Sequence, residues 1–518
     1  MGSVSSPYVL YATFTILAFA LVQVELPDPY MDEIFHVPQA QRYCTGDYFT
    51  WDPKLTTPPG LYILSVIPAK VFHISCTTEY LRGTNLVLSL LLPAIIRFVL
   101  STFPPRTSST STSLQVSSSA NTLESVSIAL FPATWFFGNL YYTDLGSLVL
   151  VLLSWGMARK ERFWVSSLVG LLSLAFRQTN VIWMIFIFAV SVLHELDVVQ
   201  DLERSRAMTI NGRTRRQAEK ERDELTIGEI LSETIKIPSR LLTSWKELMP
   251  VAVPYIPTLI AFGAFIRWNG GIVLGHKEMH EATLHFPQLG YFLAFATLLG
   301  WPILLDRGVT ELLKRAIKDG FGGIRQALTT SVLTRVTMLA IKHTTIVHPF
   351  LLADNRHYAF YVWRRVINPF PAARFLLGVG YVGCAIIWAG RLFRTQPPLT
   401  VLGLFTATLL TLTPSPLIEP RYFLIPFTIL RILASPSPLP SVSAASESKP
   451  VDGVASTTVS TSTSTKRTAK LDADDKKRRI IIVELLSYTF INILTLTVFL
   501  TVKFKWDSEP GEEYIGVV

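Results

Sequence analysis

Apolar segments follow one another along most of the chain, many of them near the ~18–20 residues that a helix needs to cross a bilayer. A bilayer core offers no water to backbone groups, so such segments must satisfy their hydrogen bonds internally, as helices do. The pattern predicts an all-α polytopic membrane protein with roughly 12–14 transmembrane helices. The apolar segments are residues 7–26, 61–74, 86–103, 125–140, 145–157, 164–176, 181–193, 251–265, 289–305, 332–347, 375–389, 399–412, 423–433 and 480–502.

Composition agrees with a membrane protein. Only 16% of the 518 residues are charged, against about 25% in soluble domains. The net charge is +9, but the basic residues lie mainly between apolar segments, as the positive-inside rule requires. No nucleic-acid-binding motif accompanies them, so the charge indicates a membrane and not nucleic acid as the partner.

The charge of the loops predicts their sides. Basic loops at 158–162, 194–249, 306–325, 391–395 and 435–479 are expected in the cytosol. The short segment 61–74 is then expected to dip into the membrane and return. The loops rich in mixed polar and aromatic residues all fall on the opposite face, which in an internal membrane is the lumen: 30–59, 141–144, 177–180, 267–287, 348–370 and 419–422.

The pattern of apolar segments and charged loops also divides the chain into regions. Residues 1–434 are predicted to form one membrane unit, with a first luminal loop at 27–60 and a cytosolic insert at 194–249. The Ser/Thr/Pro-rich tract 435–479 is predicted to be a disordered cytosolic linker. Residues 480–518 hold a final span and a tail.

The three cysteines give no metal-binding spacing. Cys44 and Cys76 can pair if both lie outside the cytosol, and free thiols fit the sequence equally well. His276, His280 and His285 do not form a recognised zinc pattern either, so no metal site is predicted.

The first luminal loop carries the clearest candidates for chemistry. Asp32 and Glu33 follow soon after the first span, and an acid pair there can supply a general base. Helical spacing places His36 and, one turn further, Gln39 on the same side as the pair, with Arg42 beyond them. The alternative is a solvated helix start.

The end of the loop is suited to sugar binding. Trp51 offers a ring on which a sugar can stack, and Asp52 offers a carboxylate for its hydroxyl groups. An interfacial tryptophan anchor is an equally good interpretation.

Other ionisable residues lie at the luminal ends of spans, where charge is costly and function is the default hypothesis. Arginine at this depth can bind a phosphate, although a snorkelling side chain or a structural pair is the alternative. A dense polar run in the loop 348–370 can contact a polyol or a phosphate. These substrate-binding candidates are Asp144, Arg177, Asn180, Glu419 and Arg421, and in the run Asp354, Asn355, Arg356 and His357.

Several motifs in series resemble one family of enzymes. The segments 30–43 (YMDEIFHVPQAQRY), 56–62 (TTPPGLY), 177–180 (RQTN), 280–288 (HEATLHFPQ), 353–358 (ADNRHY) and 419–422 (EPRY) occur in order. They are similar to the endoplasmic-reticulum glucosyltransferases that add the terminal α-1,2-linked glucose to the dolichol-linked oligosaccharide for protein N-glycosylation. The likeness breaks at the Ser/Thr-rich tracts and in part of the insert.

The resemblance implies the GT-C glycosyltransferase fold with a luminal active site. The donor is expected to be dolichyl-phosphate glucose, the acceptor Glc2Man9GlcNAc2-diphosphodolichol, and the reaction inverting. The resemblance and the need for one base favour Asp32 over Glu33, but two adjacent acids remain open. Arg177, Arg356, His357 or Arg421 is expected to hold the phosphate, with no cofactor and no metal.

Two other functions fit the sequence less well. Another dolichol-dependent transferase, of the α-1,3-glucosyl or mannosyl type, is opposed by the motif after Tyr30. A lipid or solute transporter is expected to have internal repeats and mid-membrane charges, and neither is visible in the sequence.

Overall fold

The structure, a computed structural model, describes part of the chain: residues 6–103, 121–211, 227–275, 283–305, 323–353, 358–393, 395–435, 461–504 and 514–515. All large elements in these ranges are α-helices. The first eight are α1 (Ser6–Glu25), α2 (Glu33–Thr45), α3 (Gly60–Val71), α4 (Thr78–Ser101), α5 (Pro132–Phe137), α6 (Thr143–Arg159), α7 (Phe163–Leu174) and α8 (Asn180–Asn211), and residues 121–129 are also helical.

The second half continues in the same way. Its helices are α9 (Ile227–Thr243), α10 (Trp245–Ala252), α11 (Ile256–Asn269), α12 (Pro287–Leu299), α13 (Trp301–Leu304), α14 (Gly323–Thr344), α15 (Pro349–Ala353), α16 (Tyr358–Val362), α17 (Ala373–Leu392), α18 (Pro398–Leu412), α19 (Leu424–Leu433) and α20 (Thr461–Thr501). Short 3-10 turns at Val253–Tyr255 and Pro420–Phe423 and a π-turn at Trp363–Ile367 join some of them. Lys503–Phe504 and Tyr514–Ile515 form a two-residue antiparallel pairing.

The helices confirm the predicted class. Six of those in the described residues are long and apolar enough to cross a membrane, and four shorter apolar helices accompany them. The chain is therefore an all-α polytopic membrane protein. The six long ones are Ser6–Glu25, Thr78–Ser101, Asn180–Asp197, Trp245–Asn269, Ala373–Leu392 and Asp475–Thr501.

Contacts between loops define two ends of the bundle. At one end, which we call the site end, Gly60 N donates to Ala175 O at 2.8 Å, and Gln178 Nε2 donates to Thr56 O at 2.8 Å. At the opposite end Arg159 donates to Thr102 O at 3.3 Å. Loops that the charge pattern places on the same side thus lie together.

The chain enters helix α3 at the site end and returns to the same end before α4 begins. It has 12 residues, about 18 Å at 1.5 Å per residue, too short for a core about 30 Å thick. Tyr80, in the first turn of α4, donates from its hydroxyl to Ser65 O in the middle of α3 at 2.8 Å. A disulfide joins Cys44 to Cys76 across the same end. The predicted dip agrees with this geometry, and of the two possibilities for these cysteines the paired one is found.

Helix α19 is the centre of the core. All ten of its residues, Leu424–Leu433, are buried, as expected for a helix surrounded by other helices. Its last turn carries Arg431, whose Nη1 lies 2.8 Å from Glu124 Oε1 and whose Nε lies 2.7 Å from Glu484 Oε1. These buried ion pairs fix α19 and the last helix to the core at the opposite end.

The two largest differences from the predicted boundaries concern the last helix and the insert. The final helix begins at Thr461, not near residue 480, so 461–479 are helical where composition predicted disorder. A helix propagates cheaply once nucleated, and Lys477, paired with Glu124 at 3.1 Å, continues the contact with the core. The insert 194–249 likewise contains helix, because α8 continues to Asn211 and α9 begins at Ile227.

Candidate active site

Glu33, one of the two adjacent acids, is completely buried and completely bonded. Both carboxylate oxygens accept from Arg82, at 2.9 Å from Nε and 2.6 Å from Nη2. The backbone N–H of Tyr141 donates to Oε1 at 2.5 Å, and that of Tyr30 donates to Oε2 at 2.9 Å. Glu33 therefore has no oxygen left for a substrate and acts as a structural clamp.

Arg82 completes this clamp from α4. Besides Glu33, its guanidinium donates to Leu26 O at 2.6 Å, to Asp28 O at 2.9 Å and to Gln23 Oε1 at 3.3 Å. The side chain has no exposed surface. One arginine thus ties the end of α1, the start of the first loop and α2 together, which fixes the backbone on which Asp32 sits.

Asp32 has the opposite environment. Its side chain is 42% exposed, and its Oδ2 lies 2.5 Å from Nη1 of Arg421. Its backbone N–H donates to the hydroxyl of Tyr142 at 3.2 Å. Of the two adjacent acids only Asp32 can be reached by an incoming molecule.

Arg421 is held where α19 begins. Its Nε is paired with Glu419, and its guanidinium lies 5.4 Å from the ring centre of Tyr142 and 5.7 Å from that of Tyr422, within cation–π range. The 3-10 turn Pro420–Phe423 that carries it leads directly into the buried helix. The buried core therefore positions the Arg421 guanidinium at the site end of the bundle.

A second pair lies beside the first. Arg177 Nη1 is paired with Oδ1 of Asp144, and its guanidinium lies 5.1 Å from the ring centre of Tyr422, the ring that Arg421 also contacts. Asp144 sits in the first turn of α6, is buried, and has no hydrogen-bond partner at Oδ2. The cluster as a whole joins three carboxylates, Asp32, Asp144 and Glu419, to two guanidinium groups.

His36 faces this cluster as a neutral ring. Its Nδ1 is 2.6 Å from the hydroxyl of Tyr62. Burial lowers the pKa of His36 to about 4, against the carboxylates of Asp32 and Asp144, which by themselves raise it. A neutral imidazole supplies a hydrogen bond but no charge, so His36 does not serve as a phosphate-binding cation.

Gln39, Trp51 and Asp52 shape the loop instead of lining the cluster. Gln39 Nε2 donates to Thr50 O at 2.8 Å, and its Oε1 accepts from the backbone N–H of Asp52 at 2.9 Å. Trp51 Nε1 donates to Leu55 O at 3.1 Å. The structure gives these residues a scaffold role, while half-burial leaves Trp51 and Asp52 partly accessible.

The backbone at Gly275 packs closely against the first loop near Pro53. Gly275 has a φ of +67°, and a Cβ there would lie 2.3 Å from Pro53 O. Only glycine fits such a position without strain. Residues 270–275, which follow α11, therefore pack directly on the first loop.

Two other candidates lie away from the cluster. Arg42 is exposed in the last turn of α2. The amide of Asn180 is bonded to Ser147 Oγ and to Ser173 O, both at 2.8 Å, and is fully buried. Asn180 therefore fixes α6 against α7 and α8. The candidates of the polar run lie outside the described residues: Asp354, Asn355, Arg356 and His357.

Sequence reasoning missed three members of the site. Tyr142 and Tyr422 supply the rings around the guanidinium groups, and Arg82 supplies the clamp. The signal for Arg82 was its position next to an apolar run, since a charge at the edge of a span has a buried partner or a function. No group of three or more metal-ligating side chains occurs in the part of the chain that the structure describes.

Fold and site together define a polytopic membrane protein with an accessible acid and two guanidinium groups at one end of its helices. The comparison with known families agrees with this class: residues 26–432 match the model of the DIE2/ALG10 family. The chain belongs to this family.

Curated relatives extend the match over nearly the whole chain. A protein of Arabidopsis thaliana is 34% identical over 79% of this chain and 86% of its own length. Proteins of Homo sapiens and Mus musculus are 32% and 31% identical, each covering 96% of both chains. All three are named Dol-P-Glc:Glc(2)Man(9)GlcNAc(2)-PP-Dol alpha-1,2-glucosyltransferase. No solved structure matches the chain.

Proposed function

We propose that this protein transfers glucose from dolichyl-phosphate glucose to Glc2Man9GlcNAc2-diphosphodolichol in α-1,2 linkage, as the names of its relatives describe for them. One observation carries the proposal. An accessible carboxylate, Asp32, lies 2.5 Å from the guanidinium of Arg421 at the site end of the bundle. A base beside an anion-binding group is what transfer from a sugar phosphate requires.

Asp32 is the proposed base. It accepts the proton of the acceptor hydroxyl while that oxygen bonds to the anomeric carbon of glucose. The bond between this carbon and the phosphate oxygen breaks on the opposite side, so the β-linked donor gives an α-linked product. Dolichyl phosphate leaves with the electron pair.

Arg421 and Arg177 are the proposed phosphate-binding groups. Guanidinium binds phosphate oxygens in a bidentate manner, and both side chains contact the ring of Tyr422 from the same cluster. Their charge stabilises the leaving phosphate, so we expect transfer without a metal. Arg356 and His357 remain proposed contacts from outside the described residues.

The membrane explains the position of the site. Both substrates are lipids, and their reacting groups project from the bilayer surface. A cluster at the ends of α1, α6 and α19 meets them at that depth. We propose that residues 1–434 form the catalytic unit of a GT-C enzyme, that 435–479 connect it to the last span, and that nucleic acid is not a partner.

We place the site in the lumen of the endoplasmic reticulum. The disulfide between Cys44 and Cys76 lies at the site end, and disulfides persist in that oxidising compartment and not in the cytosol. Arg159, in the basic loop 158–162, lies at the opposite end, as the positive-inside rule requires for a cytosolic loop.

An inserted glycosylation tag tests this side. The chain has no native Asn-x-Ser/Thr sequence, so any modification reports the tag. A flexible tag with one acceptor sequence, placed between Tyr48 and the 97% exposed Phe49, is expected to be glycosylated. The same tag between Lys160 and Glu161, at the opposite end, is expected to stay unmodified. Modification of the second tag and not the first would reverse the topology.

Reconstitution tests the activity. The purified full chain in liposomes is given dolichyl-phosphate glucose and the lipid-linked acceptor with two, one or no glucose residues, with and without EDTA. We expect extension of the diglucosylated acceptor alone, and equal rates with EDTA. Extension of a shorter acceptor, or transfer from a mannosyl donor, would assign a different dolichol-dependent transferase. Absence of any transfer alongside movement of lipid across the bilayer would point to a transporter.

A further inference from the structure

The proposed base and a proposed phosphate-binding group are bonded to each other. Nη1 of Arg421 lies 2.5 Å from Oδ2 of Asp32, while Nε of the same guanidinium is paired with Glu419. The rings of Tyr142 and Tyr422 lie against this guanidinium. Its hydrogen-bonding edges are therefore directed at two carboxylates.

Such pairing works against both functions of the site. A carboxylate bonded to a guanidinium is stabilised in its charged form, which makes it a weaker base. A guanidinium whose donors face two carboxylates has fewer of them for a phosphate. Catalysis therefore needs the contact between Asp32 and Arg421 to open when the donor arrives.

The burial of the two neighbouring arginine–carboxylate pairs shows which one can open. Asp32 is 42% and Arg421 17% exposed, and a partly exposed ion pair is a weak one. Glu33 and Arg82 are both 0% exposed, and separating them would leave buried charges unpaired. Of these two pairs, only the one that contains Asp32 can exchange its partner for an incoming anion.

We propose that the phosphate of the donor lipid displaces Asp32 from Arg421, so that donor binding itself releases the base. This inference rests on the proposed function and adds its regulation: the base becomes free only when a glucosyl phosphate is in place. A phosphodiester oxygen takes the position of Asp32 Oδ2 on the guanidinium, and Arg421 keeps its contact with Glu419. No covalent bond forms or breaks in this step.

Competition between Asp32 and phosphate predicts that a variant without the Asp32 charge binds phosphate more tightly, not more weakly. Removing the charge of Asp32 removes the competitor, so phosphate binding becomes stronger while transfer is lost. An ordinary binding residue shows the reverse. The expected gain in affinity is about three- to fivefold, the upper part of the range for a partly exposed ion pair.

The test measures binding without turnover. The full chain in nanodiscs is titrated with short-chain dolichyl phosphate, which carries no glucose to transfer. Asp32→Asn is expected to bind about three- to fivefold more tightly than wild type. Asp32→Glu keeps the charge, so we expect wild-type affinity with reduced transfer. Asp28→Asn is the matched control, since it removes an exposed carboxylate of the same loop and leaves both binding and transfer unchanged.

Two outcomes would overturn the proposal. Unchanged or weaker binding by folded Asp32→Asn would show that Asp32 and phosphate do not compete. A gain in Asp144→Asn and not in Asp32→Asn would place the phosphate on Arg177, where Asp144 is the competitor. Neither outcome bears on the reconstitution assay, because wild-type transfer from dolichyl-phosphate glucose is measured separately.

Discussion

Replacing Asp32 with asparagine is expected to lower kcat for glucosyl transfer by about 10²- to 10⁴-fold, the usual contribution of a general base. Asparagine keeps the shape of the side chain but cannot accept the proton of the acceptor hydroxyl. The loss is expected in kcat, and the thermal unfolding midpoint is expected to stay near that of wild type because the side chain is 42% exposed. Single-turnover transfer with preloaded donor measures it.

The control variant shows whether loss of any carboxylate in this loop, and not of the proposed base in particular, lowers the transfer rate. Asp28→Asn removes a carboxylate four positions earlier whose side chain is exposed, and its transfer rate is expected to remain within about twofold of wild type. Near-normal turnover by Asp32→Asn would assign the proton transfer to another acid of the cluster, Asp144 or Glu419.

Replacing Arg82 with methionine is expected to cost about 3–5 kcal/mol of stability, because it leaves Glu33 charged and buried without its partner. Both side chains have 0% exposure, so water cannot take the place of the guanidinium. The thermal unfolding midpoint of the full chain in detergent, followed by intrinsic fluorescence, is expected to fall accordingly.

A double variant shows whether pairing is the cause. Arg82→Met combined with Glu33→Gln removes both charges, and replacing a buried ion pair by neutral side chains is often close to neutral. We therefore expect the double variant to recover most of the loss. Arg42→Met, at an exposed position on α2, is the control and is expected to change stability by less than about 0.5 kcal/mol. A double variant as unstable as Arg82→Met alone would contradict this account of the clamp.

The helical architecture could be predicted because it follows from local composition. Segments of about 18 apolar residues must be helices in a bilayer, and the short length of 61–74 with Pro68 already indicated a dip. The end of α6 was predicted to within two residues, at 157 against Arg159, whereas α4 begins at Thr78, eight residues before the predicted start of its span at 86. The first residue of the last helix could not be predicted either, because the polar residues 461–479 resemble a linker in composition and are helical through their continuity with the span.

The site could be predicted only as a set of candidates. Asp32, Asp144, Arg177, Glu419 and Arg421 were chosen because they are ionisable residues at span ends, and the structure brings all five together. The span-end position also selected Asn180, and the first loop supplied Arg42, and both lie away from the cluster. Position along a span says how deep a residue lies but not which neighbouring helix it faces.

The sequence by itself determined that the chain is an all-α membrane protein and that an acid pair opens the first loop, and it predicted that the polar loops gather on one face. Only the tertiary structure distinguished the two acids. Glu33 meets Arg82, 49 residues away, and the backbone of Tyr141, 108 residues away, whereas Asp32 meets Arg421, 389 residues away. Adjacent carboxylates have the same intrinsic chemistry, so burial and partners contributed by distant helices decide which one is a clamp and which one can react.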